Sequence, residues 1–121
     1  MTNFKPFLIY IISKNTFMII QLNADKNLVI HEAYGTELKE VLTKELSHFS
    51  GHISRLEVHL SDENGGKSGP NDKRCLLEAR VENKQPVVVT AEADTHDQSV
   101  KAASVKLKHA LETIMGKAKN H

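Results

Sequence analysis

The sequence predicts an α+β fold of order βαβββα: a four-stranded mixed sheet with two helices on one face. Three observations carry this. Four short segments alternate apolar and polar residues with period two, the pattern of strands buried on one side only. Two segments instead repeat apolar residues every three to four positions, which is the stripe of a helix lying on a core. The chain has 121 residues and 40% hydrophobic content, enough for one modest core, and neither a repeat nor a linker divides it.

Residues 1–17 read as an N-terminal extension. Their apolar run, from Phe7 to Ile12, lies between Lys5 and Lys14. It is far shorter than the roughly 20 residues that span a bilayer, and no small-x-small cleavage site follows. The extension is an extra edge strand, a loose tail, or a stretch upstream of a start at Met18. The domain proper is expected over residues 18–117, with a frayed tail at 118–121.

The first strand is expected at residues 18–23, with Met18, Ile20 and Leu22 facing the core. Asp25, Lys26 and Asn27 form a turn. A helix follows over about residues 32–49. Leu38, Val41, Leu42, Leu46 and Phe49 make its stripe, Tyr34 stands near its start, Gly35 weakens its first turn, and Ser50-Gly51 ends it. Residues 53–61 alternate Leu56, Val58 and Leu60 against Arg55, Glu57 and His59. Residues 61–72, with three glycines and a proline, are a long hairpin loop. Residues 74–82 place Cys75, Leu77, Ala79 and Val81 on one face. After a turn at 83–86, Val87, Val89, Ala91 and Ala93 alternate with Val88, Thr90 and Glu92.

The period then changes. Val100, Ala103, Leu107, Ala110, Leu111 and Ile114 share one helical arc. Thr95, with Gln98 three residues on, is a capping box at the helix start. Asp94 and Asp97 suit the positive end of its dipole, and Gly116 is the expected stop. A helical crossover makes the first two strands parallel; the short turns make the rest antiparallel. Two helices cover the apolar sheet face. The other face carries Arg55, Glu57, His59, Glu78, Arg80, Glu82 and Glu92 and is wet.

Composition excludes several functions. A formal charge of +1 is not that of a strongly basic nucleic-acid binder, so RNA binding requires a local patch. Cys75 is the only cysteine, which rules out a disulfide within the chain and fits a reducing, cytoplasmic compartment. Seven histidines form no metal motif: Gly51 interrupts His48 and His52, and His59 and Cys75 face opposite sides of the sheet. Cys75 reads as a small buried hydrophobe without an activating base. Asp62-Glu63 lies in an unburied loop, which would not raise a carboxylate pKa. The glycines of that loop match no phosphate cradle. No catalytic constellation, metal, cofactor, small-molecule substrate or membrane span is expected.

Four stretches carry a resemblance: HLSDENG (59–65), DKRCLLEARVE (72–82), QPVVVTAEADTHDQSV (85–100) and KLKHAL (106–111). Together with the element order, they resemble the ribosome hibernation-promoting factor and ribosome-associated inhibitor family, also called sigma-54 modulation proteins, in a short proteobacterial form. The resemblance covers about residues 18–117. It implies a fold like that of double-stranded-RNA-binding domains. It also implies a non-enzymatic, ribosome-associated factor that binds the small ribosomal subunit through 16S rRNA and modulates translation and hibernation under stress or in stationary phase. Off the ribosome such a protein would be a monomer. The chain departs from the family pattern at Asp97, where tyrosine is usual, and at Lys101, where aspartate is usual. Residues 112–116 interrupt the usual Lys/Arg tail of the second helix.

The resemblance points to Lys39, Lys44, Lys73, Arg74, Lys101, Lys106 and Lys108 as rRNA contacts. Lys101 and Lys108, seven apart, share one helix flank, and Lys106 lies on the other. Lys39 and Lys44 project away from the first helix's leucine stripe, and Lys73-Arg74 sits at the loop base. From the residues alone these cations read equally as phosphate contacts or as solvated lysines paired with Glu40, Glu45 or Glu112. The alternative function is a protein-interaction module on the same fold with weak or lost ribosome binding.

Overall fold

The computed structural model describes residues 18–26, 28–63 and 69–119. Strand β1 (Ile19–Ala24) leads to helix α1 (Glu32–Glu45) and a 3-10 turn (Ser47–Phe49). Strands β2 (Ile53–Asp62), β3 (Lys73–Val81) and β4 (Val87–Ala93) follow, and helix α2 (His96–Lys119) ends the described chain. The sheet order is β1-β2-β3-β4, with β1 parallel to β2 and the other pairs antiparallel. This is the α+β, βαβββα architecture that the periodicities predict. The extension at 1–17, the loop tip at 64–68 and the end of the tail at 120–121 lie outside the described residues.

The alternation becomes a core because the register aligns it. Ile20, Leu56, Ala79 and Val87 stand in one row across the four strands, and Leu22, Val58, Leu77 and Val89 in the next. Leu60, Cys75 and Ala91 continue the face on β2, β3 and β4. A slip of one residue would turn each row to solvent, so burial specifies the register. The helices cover these rows. Leu38, Leu42 and Leu46 from the α1 side, Phe49 from the 3-10 turn, and Val100, Ala103, Leu107 and Leu111 from α2 complete the buried cluster. Each fully buried leucine contributes about 1.5–3 kcal/mol relative to exposure.

Four details of the helices differ from the sequence expectation. The first helix is α-helical only to Glu45, and residues 47–49 tighten into 3-10 geometry that still brings Phe49 into the core. Val41 is 39% exposed. Its neighbours Leu38, Leu42 and Leu46 form an i,i+4 ridge, and at 3.6 residues per turn Val41 stands about 140° from Leu46. Gly35 does not mark a weak turn: it is buried, and an added Cβ would meet a Leu22 methyl at 3.2 Å. The missing side chain lets α1 approach β1. Gly116 does not stop α2, which runs through it to Lys119. A glycine ends a helix where the backbone turns left-handed, and Gly116 stays helical.

The hairpin is longer than expected, because β2 extends to Asp62 and β3 begins at Lys73. Asp62 pairs with Lys73 in register, and the Glu63 N–H donates to the Asp72 carbonyl at 2.8 Å, closing the ladder. Asn71 and Asn83 adopt left-handed backbone, with φ of 53° and 62°, at the loop exit and in the β3–β4 turn. Asparagine tolerates that conformation better than other side chains do.

Candidate nucleic-acid interface

The start of α2 is fixed from three sides. The Thr95 hydroxyl accepts the Gln98 N–H at 3.1 Å, the cap that the capping box predicts. The Asp94 carboxylate accepts the Asn71 N–H at 2.7 Å, tying the loop exit to the helix. The Tyr34 hydroxyl, from the first turn of α1, donates to the Asp97 carboxylate. Burial and this carboxylate keep the phenol protonated, well above its ordinary range. The two helices are thereby locked together at one end.

At the other end of α1 two of the seven candidate cations meet at one carboxylate. Lys108 Nζ donates to Glu45 Oε1 at 3.1 Å, and Lys101 Nζ stands 3.9 Å from Glu45 Oε2. Lys44, the preceding residue, adds its field. The Lys108 hydrogen bond is the main reason the Glu45 carboxyl is held below its usual range, helped by the charges of Lys108, Lys101 and Lys44. Lys101 and Lys108 against this one carboxylate leave one positive charge unmatched. Glu40 and Glu112, the other expected partners, make no ion pair with these lysines among the described residues.

The remaining candidates are placed elsewhere. Lys106 lies on the opposite flank of α2, where its Nζ donates to the Thr90 carbonyl of β4 at 2.7 Å. Lys39 lines a shallow cleft with Leu22, Ala24, Ile30 and Gly35. Lys73 and Arg74 are split by strand alternation. Lys73 shares the helix-covered side with Cys75. Its Nζ lies 3.1 Å from both the Asp62 and Asp72 carboxylates, and those hydrogen bonds raise its pKa. Asp62 is therefore partly buried and ion-paired, not a bare loop carboxylate. Arg74 faces the open side, in a depression with His59, Leu76 and Glu78.

Two features had no sequence signal. Both ring nitrogens of His96 are shielded from solvent and lack a hydrogen bond among the described residues. Burial and then the nearby Lys73 charge lower its pKa. The open face is an ion-paired ladder. Arg55 Nε donates to Glu57 at 3.0 Å, His59 Nε2 is 3.6 Å from the same carboxylate, and Arg80 Nε is 3.6 Å from Glu78. Its charges largely cancel, so that face is not basic.

Catalytic chemistry finds no foothold in these groups. Cys75 is fully buried, and desolvation pushes its thiol up to about 12, so the thiolate nucleophile is absent near neutral pH. Among the described residues no three His, Cys, Asp or Glu side chains cluster as a metal site, and no helix is long and apolar enough to cross a membrane. What the geometry offers is a set of cations on the helix side of the sheet, with Lys101 and Lys108 brought together at Glu45.

No family model matches the sequence, nor does any curated protein. The fold is similar to that of two solved structures. One is a ribosomal subunit interface protein from Coxiella burnetii, with a TM-score of 0.59 and 20% identity, covering 86% of this chain and 100% of that one. The other is the N-terminal domain of Protein Y from Thermus thermophilus, with a TM-score of 0.62 and 18% identity, covering 80% of this chain and 99% of that one. At these identities the likeness establishes a common fold.

Proposed function

We propose that this chain is a non-enzymatic ribosome-associated factor of the hibernation-promoting type. It binds the small ribosomal subunit through 16S rRNA in the cytoplasm and modulates translation under stress or in stationary phase. The observation that carries the reading is the fold, which spans nearly the whole of a ribosomal subunit interface protein and of the Protein Y N-terminal domain. The sequence resemblance points to the same group independently, and the lysines at the α1–α2 junction supply a phosphate-binding element. Lys44, Lys101 and Lys108 are its centre; Lys39, Lys73 and Lys106 are further candidate contacts on the helix side, and Arg74 is a separate candidate on the open face.

Phosphate contacts release condensed counterions, so affinity falls steeply with salt, and each lost contact lowers the slope by about 0.7–0.9. The test is co-sedimentation with purified small ribosomal subunits over a KCl series. The Lys101→Gln/Lys106→Gln/Lys108→Gln variant should bind more weakly with a flatter salt dependence, and each site should change stability by no more than about 0.5 kcal/mol. Equal binding by both proteins at every salt concentration would remove α2 from the RNA-contacting surface.

One observation favours the second reading, a protein-interaction module. Lys73, Lys101 and Lys108 already have carboxylate partners within the fold. A pull-down from nuclease-treated lysate separates the two. An interaction module keeps its partners, and an RNA-anchored factor loses the ribosomal ones.

A further inference from the structure

We infer that Glu45 is a built-in competitor for phosphate, holding Lys101 and Lys108 in the free protein and so limiting the affinity of the α1–α2 junction for RNA. The inference rests on the ribosomal RNA reading above. Three observations lead to it. Glu45 is the last residue of α1, at the negative end of the helix dipole, where a carboxylate is disfavoured. It is nonetheless held there by geometry: Lys108 Nζ donates to it at 3.1 Å and Lys101 Nζ stands 3.9 Å away. And both partner lysines come from the flank of α2 that faces this end of α1, so one carboxylate engages two cations of the proposed interface at once.

The consequence is a competition. A phosphate oxygen that takes Lys101 and Lys108 must displace Glu45, which is left unpaired beside the incoming negative charge. Binding therefore loses two ion pairs and gains a repulsion. Lys101 is the looser of the two, at 3.9 Å with a side chain 67% exposed, and is the first that phosphate can capture. Lys108, at 3.1 Å and 33% exposed, is the more firmly held. The glutamate acts as a specificity filter. A scattered or flexible polyanion cannot recover both lysines, whereas a rigid RNA surface that offers two phosphates at the right spacing can.

Glu45→Gln tests this. Glutamine keeps the length of the side chain and an acceptor for Lys108, so the packing of α1 on α2 is retained, and a thermal melt confirms it. Binding to purified small ribosomal subunits is measured over a KCl series for wild type, Glu45→Gln, Lys101→Gln/Lys108→Gln and the triple combination. Glu45→Gln should bind about two- to tenfold more tightly at low salt, the scale of two exposed ion pairs. Its salt slope should steepen by about one to two units. Both effects should vanish when Lys101 and Lys108 are already glutamine. If Glu45→Gln behaves as wild type while the double lysine variant binds weakly, the lysines contact RNA and Glu45 does not restrain them, which overturns the inference and leaves the function standing. If Glu45→Gln tightens binding equally with and without the lysines, Glu45 only repels phosphate, and the competition is refuted. If no variant differs from wild type, the junction is not the RNA surface, and the functional reading fails at that point.

Discussion

Leu107→Ala is the sharpest test of where α2 lies. Leu107 is fully buried at the centre of the α2 stripe, over the rows set by β3 and β4. Truncation to alanine removes three carbons. At about 0.8 kcal/mol per buried carbon this forfeits about 2.4 kcal/mol of transfer free energy. The cavity left in the buried cluster adds to it, so the expected loss is about 2.7–5 kcal/mol. A domain of this size has a total stability of roughly 5–15 kcal/mol, so the change is large. It corresponds to a fall in Tm on the order of 10–30 °C. Val105 is the control. It stands two residues away on the same helix and is 37% exposed, and its truncation should cost within about 0.5 kcal/mol. Thermal melts followed by circular dichroism measure both. Equal Tm shifts for Leu107→Ala and Val105→Ala would mean that the helix face is misassigned and the core is built differently.

Two further perturbations bear on details of the fold. Gly116→Ala should raise stability by up to about 0.5–1 kcal/mol, since α2 continues through this position and an added Cβ meets nothing within 4 Å; a lower Tm would show that the helix ends there after all. His96 binds its proton less readily when folded than at its ordinary value of 6.5, so the unfolded state takes up more protons below that pH. Stability should therefore be complete above about pH 6.5 and fall as the pH drops through that value toward the lower folded pKa. Replacing it in a His96→Gln variant should flatten the fall in Tm between neutral and mildly acidic pH, and an unchanged slope would place the titration elsewhere. The carboxyls of Glu45 and Glu57, both held low by hydrogen bonds from cations, add a loss in the same direction at more acidic pH.

The architecture was legible because each element states its period within a few residues. Strand alternation told the buried face of β2, β3 and β4 residue by residue, down to Cys75 inward and His59 outward. The Thr95 cap was readable because its partner is only three residues away. Two of the failures, Gly35 and Val41, share one cause: they concern what an element packs against. Gly35 reads as a weak first turn in isolation, and only the approach of Leu22 from β1 explains why a side chain is absent. Val41 belongs to the α1 stripe by spacing alone, but the sheet lies under the Leu38–Leu42–Leu46 ridge and leaves Val41 at its margin. Gly116 resembles a stop until the helix is seen to need no reversal there.

The same distinction decides how the cations must be read. A sequence reports which residues are charged and, by alternation or helical spacing, which way they point. That was enough to put Lys101 and Lys108 on one flank and Lys106 on the other. It does not report who neutralises whom, because Glu45 and Lys108 are 63 residues apart. Lys73 shows the contrast. Its partner Asp72 is the adjacent residue and Asp62 sits opposite it in the β2–β3 register, so that pairing follows once the hairpin is drawn. The overall charge of +1 is a sum over groups that the fold matches locally in places, as on the open face, where Arg55, Arg80 and His59 stand beside Glu57 and Glu78. A near-neutral chain can therefore still hold a surface for a polyanion, provided the unmatched charge is concentrated. Here Lys101 and Lys108 share the single carboxylate of Glu45, which leaves one positive charge unmatched at that point. On the proposed reading, affinity depends less on the number of lysines than on how readily that carboxylate releases them. A change at Glu45 should tighten binding only while Lys101 and Lys108 are present, which no count of charges predicts.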